Sequence, residues 1–97
     1  MTVDVTEPAR SDVTKIVDYY EQQRPGLGGK FTIEFKEVLE RIGRYPRGWT
    51  QVSRRSRRCL FHNFDCGVFY QIRKNVAVVF AVWHLKRRAG WKARERF

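Results

Sequence analysis

Near the C-terminal end, eight consecutive apolar residues, Val76-Ala77-Val78-Val79-Phe80-Ala81-Val82-Trp83, constrain the fold most. Their length and their β-branched and aromatic content suit a strand. A strand with one face in water alternates apolar and polar residues. This one does not, so both of its faces must be covered. The preceding apolar run, Gly67–Ile72, is separated from it by Arg73-Lys74-Asn75, and the two form an antiparallel hairpin. Upstream, SRRSRRCLFHNF (Ser53–Phe64) begins with four arginines in five positions and ends apolar. It predicts a strand over 57–62 and completes a three-stranded meander.

The first half reads as helices. Val3 and Val5 share one face of a short strand, Thr2–Val5. Thr6 is an N-cap candidate, with Glu7 and Pro8 in the first turn. Val13, Ile16, Val17 and Tyr20 then fall on one face of a helix of about four turns. Pro25-Gly26-Leu27-Gly28-Gly29 breaks it. Phe31, Phe35, Val38, Leu39 and Ile42 predict a second helix from near Lys30 to Arg44. The short connection makes the pair an antiparallel hairpin. Tyr45-Pro46 ends it, and Trp49 is expected to pin the following loop to the core. The expected fold is therefore α+β. An N-terminal helix hairpin packs on a curved antiparallel sheet of three to four strands, within a single domain spanning 1–97. The hairpin covers one sheet face only. The other face of 76–83 needs the C-terminal tail, with Trp91 and Phe97, or a segment of a partner.

The net charge of +10 is unevenly placed. Residues 1–40 hold five basic and eight acidic side chains, whereas residues 41–97 hold fifteen and two. A field this lopsided favours a polyanionic or acidic partner. No apolar run approaches the roughly 20 residues of a membrane span. The N-terminus, MTVDVTEPAR, does not read as a secretory signal. These features make a cytoplasmic protein without membrane association the expectation. Cys59 and Cys66 read as reduced thiols packed in strands, and no residue spacing suggests a metal site or a cofactor.

Helix hairpin, Tyr45-Pro46, Arg57-Arg58 before a strand, Val68–Ile72 (VFYQI), and Val79–Arg87 (VFAVWHLKR) ending at Trp91 and Arg94 recur in this order in one group of proteins. On these landmarks the chain resembles the RelE/ParE superfamily of toxins from type II toxin–antitoxin systems, over nearly its whole length. The resemblance implies a toxin that inhibits growth, is neutralised by a cognate antitoxin and forms a hetero-oligomer with it. The antitoxin's C-terminal segment would wrap a groove whose floor here includes Val79, Ala81 and Trp83. Two activities occur in the superfamily. RelE-like members cut mRNA on the ribosome; ParE-like members poison DNA gyrase.

RNA cleavage at a 2′-hydroxyl needs a proton acceptor, cations for the phosphorane and a proton donor for the leaving oxygen. If the chain is RelE-like, the resemblance points to His84, Arg58, Arg87 and Lys86. Leu60 and Gly67 stand where RelE-like toxins carry basic residues, and Trp91 or Lys92 near the place of a tail tyrosine. Asp65 is the only carboxylate between Arg41 and Arg94. These departures favour ParE-like action. For target or polyanion contact the candidates are Arg54, Arg55, Arg57, Arg58, Lys86, Arg87, Arg88, Trp91 and Arg94. A plain nucleic-acid-binding domain using the same cations is the third reading.

Overall fold

The computed structural model describes residues 1–97. In chain order these are β1 (Thr2–Val5), α1 (Glu7–Gln23), α2 (Leu27–Arg44), β2 (Thr50–Gln51), β3 (Arg57–Leu60), β4 (Cys66–Arg73), β5 (Val76–His84) and a terminal 3-10 turn, Gly90–Arg94. No helix is long and apolar enough to cross a membrane.

Thr6 caps α1, its hydroxyl accepting the Ala9 N–H at 3.3 Å. The turn into α2 is built on glycine for two reasons. Gly26 has φ of 91°, a left-handed conformation that side chains disfavour. At Gly28 a Cβ would lie 2.9 Å from the Val17 carbonyl oxygen, so only glycine lets the helices approach this closely. The Glu21 carboxylate accepts the Gly26 and Gly28 amides at 3.0 to 3.1 Å. Those amides have no partner within the helix. This cap draws Gly28 and Gly29 into the first turn, so α2 begins at Leu27, three residues before the sequence expectation.

The sheet runs β1-β5-β4-β3-β2. The α+β class and the helix hairpin on one face stand as expected. The sheet itself has five strands rather than three to four, and it is mixed: β1 lies parallel to β5, with Val5 opposite Val79. A four-residue strand carries no sign of its pairing partner, and the two residues of β2 carry no pattern at all. Strand β3 stops at Leu60 rather than His62. The Glu34 carboxylate on α2 takes the backbone N–H groups of His62 and Asn63, and the Asn63 side-chain amide at 3.1 Å, turning this segment away from the ladder. Trp49 does pin its loop, its indole N–H donating to the Arg41 carbonyl at 3.1 Å.

The two faces of the sheet hold separate cores. Phe31, Val38 and Ile42 of α2 and Ala9 of α1 pack on Cys59, Val68, Tyr70, Ala77, Val79 and Val82. On the opposite face, Phe69, Phe80, Ala81 and Trp91 form a second cluster. In β4 the two sets alternate. In β5 the register steps from Phe69 opposite Ala81 to Tyr70 opposite Val79, passing over Phe80. This bulge turns two successive residues, Phe80 and Ala81, toward the same face. Unbroken apolarity in β5 thus has two causes: cover on both faces and one irregularity in register.

Candidate functional site

What covers the second face is the protein's own tail. Trp91 stacks on Phe69 with ring centroids 4.5 Å apart, and Phe97 stacks on Phe80 at 5.2 Å. Polar contacts fix the tail between these rings. Arg94 forms a two-pronged pair with Asp12 of α1 at 2.5 and 2.9 Å. Asp12 also accepts the Val82 N–H at 3.0 Å, next to the bulge. The Glu95 carboxylate accepts the hydroxyls of Ser53 and Ser56 at 2.8 and 3.1 Å. Buried Gln71 donates to the Ser56 hydroxyl and to the Glu95 carbonyl. Arg73 lies over the Phe97 ring and donates to the Phe97 carbonyl at 2.7 Å.

The expected site residues divide sharply. Arg54 and Arg55 are exposed, on a turn closed by the Ser53 hydroxyl accepting the Arg55 and Ser56 N–H groups. Arg88 is also exposed, and its carbonyl accepts the Trp83 indole N–H at 2.7 Å. Lys86 is exposed, 3.6 Å from Asp65. Arg87 stacks its guanidinium on Trp83 at 4.4 Å. Others are occupied internally. Arg57 donates to the Arg47 and Trp49 carbonyls, Arg94 holds Asp12, and Trp91 is only 8% exposed. Of the three groove residues, Val79 and Ala81 are fully buried in opposite cores, and Trp83 is half-buried.

The candidate cleavage residues do not converge. Arg58 pairs with Phe69 and shares its face of the sheet, away from the helices. Its stem lies over Gly67, where a Cβ would meet Arg58 Cγ at 3.0 Å. His84 points the other way, lining a cavity against α1 with Ile16 and Tyr20. His84 pairs with Cys66, three residues from Phe69 and one strand nearer the opposite edge. With about 4.8 Å between strands and about 3.3 Å per residue, the two Cα atoms lie roughly 14 Å apart, with side chains on opposite faces. Groups that share one phosphate must come within about 3 Å of the proton they move.

Asp12 escaped the sequence reading as a functional residue, although a signal was there. It sits on the buried stripe of α1 with Ala9, Val13 and Ile16. A carboxylate on such a stripe requires a partner, and the basic tail supplies one. Ser53, Ser56, Gln71 and Glu95 carried no comparable signal, because their network forms only once the tail has folded back.

The fold is shared with a solved structure described as the chromosomal ParDE TA system from P. aeruginosa. The TM-score is 0.68 at 12% identity, over 89% of this chain and 97% of that one. No curated protein matches the chain by sequence. A family model described as the ParE toxin of type II toxin-antitoxin system, parDE, matches residues 3–89. The chain belongs to the ParE toxin family.

Proposed function

We propose that this ParE-family toxin inhibits growth by binding DNA gyrase, and that a cognate antitoxin neutralises it within a hetero-oligomer. The observation that carries the non-nuclease reading is the placement of His84 and Arg58 on opposite faces of the sheet, roughly 14 Å apart. Lys86 and Arg87 follow His84 along the chain, Arg58 has no carboxylate within 4 Å, the nearby Glu95 carboxylate is taken by Ser53 and Ser56, and no tyrosine lies in the tail. Binding needs no such set. The exposed cations Arg54, Arg55, Lys86, Arg87 and Arg88 are the residues assigned to the target. Trp83 is the part of the groove that an antitoxin segment meets first, with Ala81 buried on the same sheet face and Val79 in the core on the other face. Action on gyrase places the protein in the cytoplasm.

Two reactions test this with the same protein sample. Incubation with gyrase and supercoiled plasmid is expected to trap DNA cleavage complexes, and a defined translation extract is expected to show intact mRNA. Ribosome-dependent mRNA cuts that vanish in His84→Ala and Arg87→Ala would overturn the reading in favour of RelE-like cleavage. Tight, steeply salt-dependent RNA binding without growth inhibition would favour the plain nucleic-acid-binding domain instead.

A further inference from the structure

A cavity of about 450 Å³ opens between α1 and the end of β5. That volume lies within the range of about 300–1,000 Å³ typical of ligand sites. Its floor is apolar: Ile16 and Tyr20 from α1, one helical turn apart, and Val82 from β5. Tyr19 forms one wall and is 57% exposed.

Around this floor the charge is cationic. Lys15 is exposed and has no carboxylate within 4 Å. The Arg87 guanidinium is oriented by stacking on Trp83, which leaves its N–H edge available. Lys86 has a single exposed contact with Asp65, of the kind that contributes little and exchanges readily. The one carboxylate in the lining, Asp12, is already paired with Arg94 and also accepts the Val82 N–H. His84 accepts the Lys86 N–H through Nδ1 at 3.1 Å, so its neutral form carries its proton on Nε2 and can donate from there.

The geometry points to a docking site for an acidic peptide segment of a protein partner, which inserts one apolar or aromatic side chain onto Ile16, Tyr20 and Val82 and sets a flanking carboxylate against Lys15 and Arg87. Charge complementarity selects this occupant. Three cations converge on a single apolar opening, the inverse of a peptide with one anchor among acidic residues. A nucleic-acid strand would instead track a line of cations, such as the exposed Arg54-Arg55 edge, and stack its bases on open rings. The inference rests on the reading that the toxin works through protein partners, and it requires neither gyrase nor antitoxin to be the one involved.

The probe is the acetylated, amidated hexapeptide DEWLDE, titrated into the isotope-labelled full chain at near-physiological salt while amide chemical shifts are followed. Saturable shifts are expected at Ile16, Tyr19, Val82 and His84. Lys15→Glu, an exposed change that leaves the core untouched, is expected to weaken binding roughly five- to tenfold. Tyr19→Ala is expected to weaken it at least about fivefold. The control peptides DEGGDE, without an anchor, and NQWLNQ, without carboxylates, should each bind more weakly. No shift up to about 2 mM peptide, shifts confined to the Arg54-Arg55 edge, or equal binding by either control would overturn the proposal. So would displacement of the peptide from these four amides by a thymidine oligonucleotide, which would reassign the cavity to nucleic acid. Failure here leaves the gyrase reading untouched, because the measurement contains no gyrase and scores no toxicity.

Discussion

Cutting the tie between α1 and the tail tests how the second sheet face is closed. Asp12 has 8% of its side chain exposed and Arg94 29%. Both guanidinium prongs reach the carboxylate, which also holds the Val82 N–H. In Arg94→Ala the carboxylate stays buried with one remaining donor. Stripping a fully buried ion of its partner costs about 3–5 kcal/mol. Arg94 is partly hydrated already, and water entering its place reduces the cost to roughly 2–3 kcal/mol. In Asp12→Ala, Arg94 turns outward, and the main loss is the unpaired Val82 N–H, about 1–3 kcal/mol. The double variant removes charge from both ends, so it should cost less than the sum by roughly 1–2 kcal/mol. Urea denaturation of the four proteins, followed by tryptophan emission and far-ultraviolet circular dichroism, measures all three quantities. For Arg94→Ala the midpoint should fall by roughly 1–2 M. Single-variant effects that add within about 0.5 kcal/mol would refute the coupling, and with it the idea that this pair fixes the tail.

Three further outcomes follow from individual side chains. Burial alone would raise the Glu34 pKa, but the His62 and Asn63 donors outweigh it and hold the carboxyl below its ordinary 4.5. The native state therefore takes up this proton less readily than the unfolded chain. The advantage of wild type over Glu34→Gln in urea should be full above pH 4.5 and decline as pH falls through the lower folded value; a difference that grows on acidification would contradict it. Burial also pushes the Cys66 thiol up to about 11, with Cys59 raised for the same reason, so at pH 8 both should resist a thiol-specific disulfide reagent until urea unfolds the chain. Finally, a Cβ at Gly90 would meet the Trp83 ring at 2.7 Å, whereas one at Gly67 meets the pliable Arg58 stem at 3.0 Å. Gly90→Ala should cost about 1–3 kcal/mol and Gly67→Ala less than about 1 kcal/mol; the reverse order in denaturation midpoints would show that Arg58 is the more rigidly held neighbour.

Much of this fold was legible because periodicity is a local property. Val13, Ile16, Val17 and Tyr20 marked the face of α1, and Phe31, Val38 and Ile42 that of α2. The paired apolar runs marked β4 and β5. Illegible features were those that depend on a distant partner. Glu21 caps α2 from the preceding helix, Glu34 ends β3 from across the chain, and β1 joins β5 over more than seventy residues. The site followed the same rule. Arg54, Arg55 and Arg88 are exposed as their setting implied, whereas Trp91 and Arg94 carry the same residue types inward, and only Asp12 and Phe69 reveal why. The cavity lined by Lys15 and Tyr19 was hidden for a different reason. On a helix wheel those two read as solvated surface, and they become a site only opposite His84 and Arg87.

Charge counting therefore overstates the field a partner meets. The acidic first segment does not merely offset the basic second one; it binds it at chosen points. Asp12 takes Arg94, and Glu34 lies 3.8 Å from Arg41, whose guanidinium also contacts the His62 ring. Arg57 and Arg73 spend their donors on carbonyls and on Gln71. These four arginines hold loops and tail in place, and for Arg94 and Arg41 a carboxylate also offsets the charge. Among the exposed cations, two runs on different elements stand out: the Arg54-Arg55 turn, and Lys86-Arg87-Arg88 beside the α1 cavity. Two separated cationic runs on so small a domain present two distinct surfaces to binding partners. Charge reversal at the Arg54-Arg55 turn should then leave acidic-peptide binding at the α1 cavity intact while Lys15→Glu weakens it, and an equal loss from either change would mean that the two are one surface.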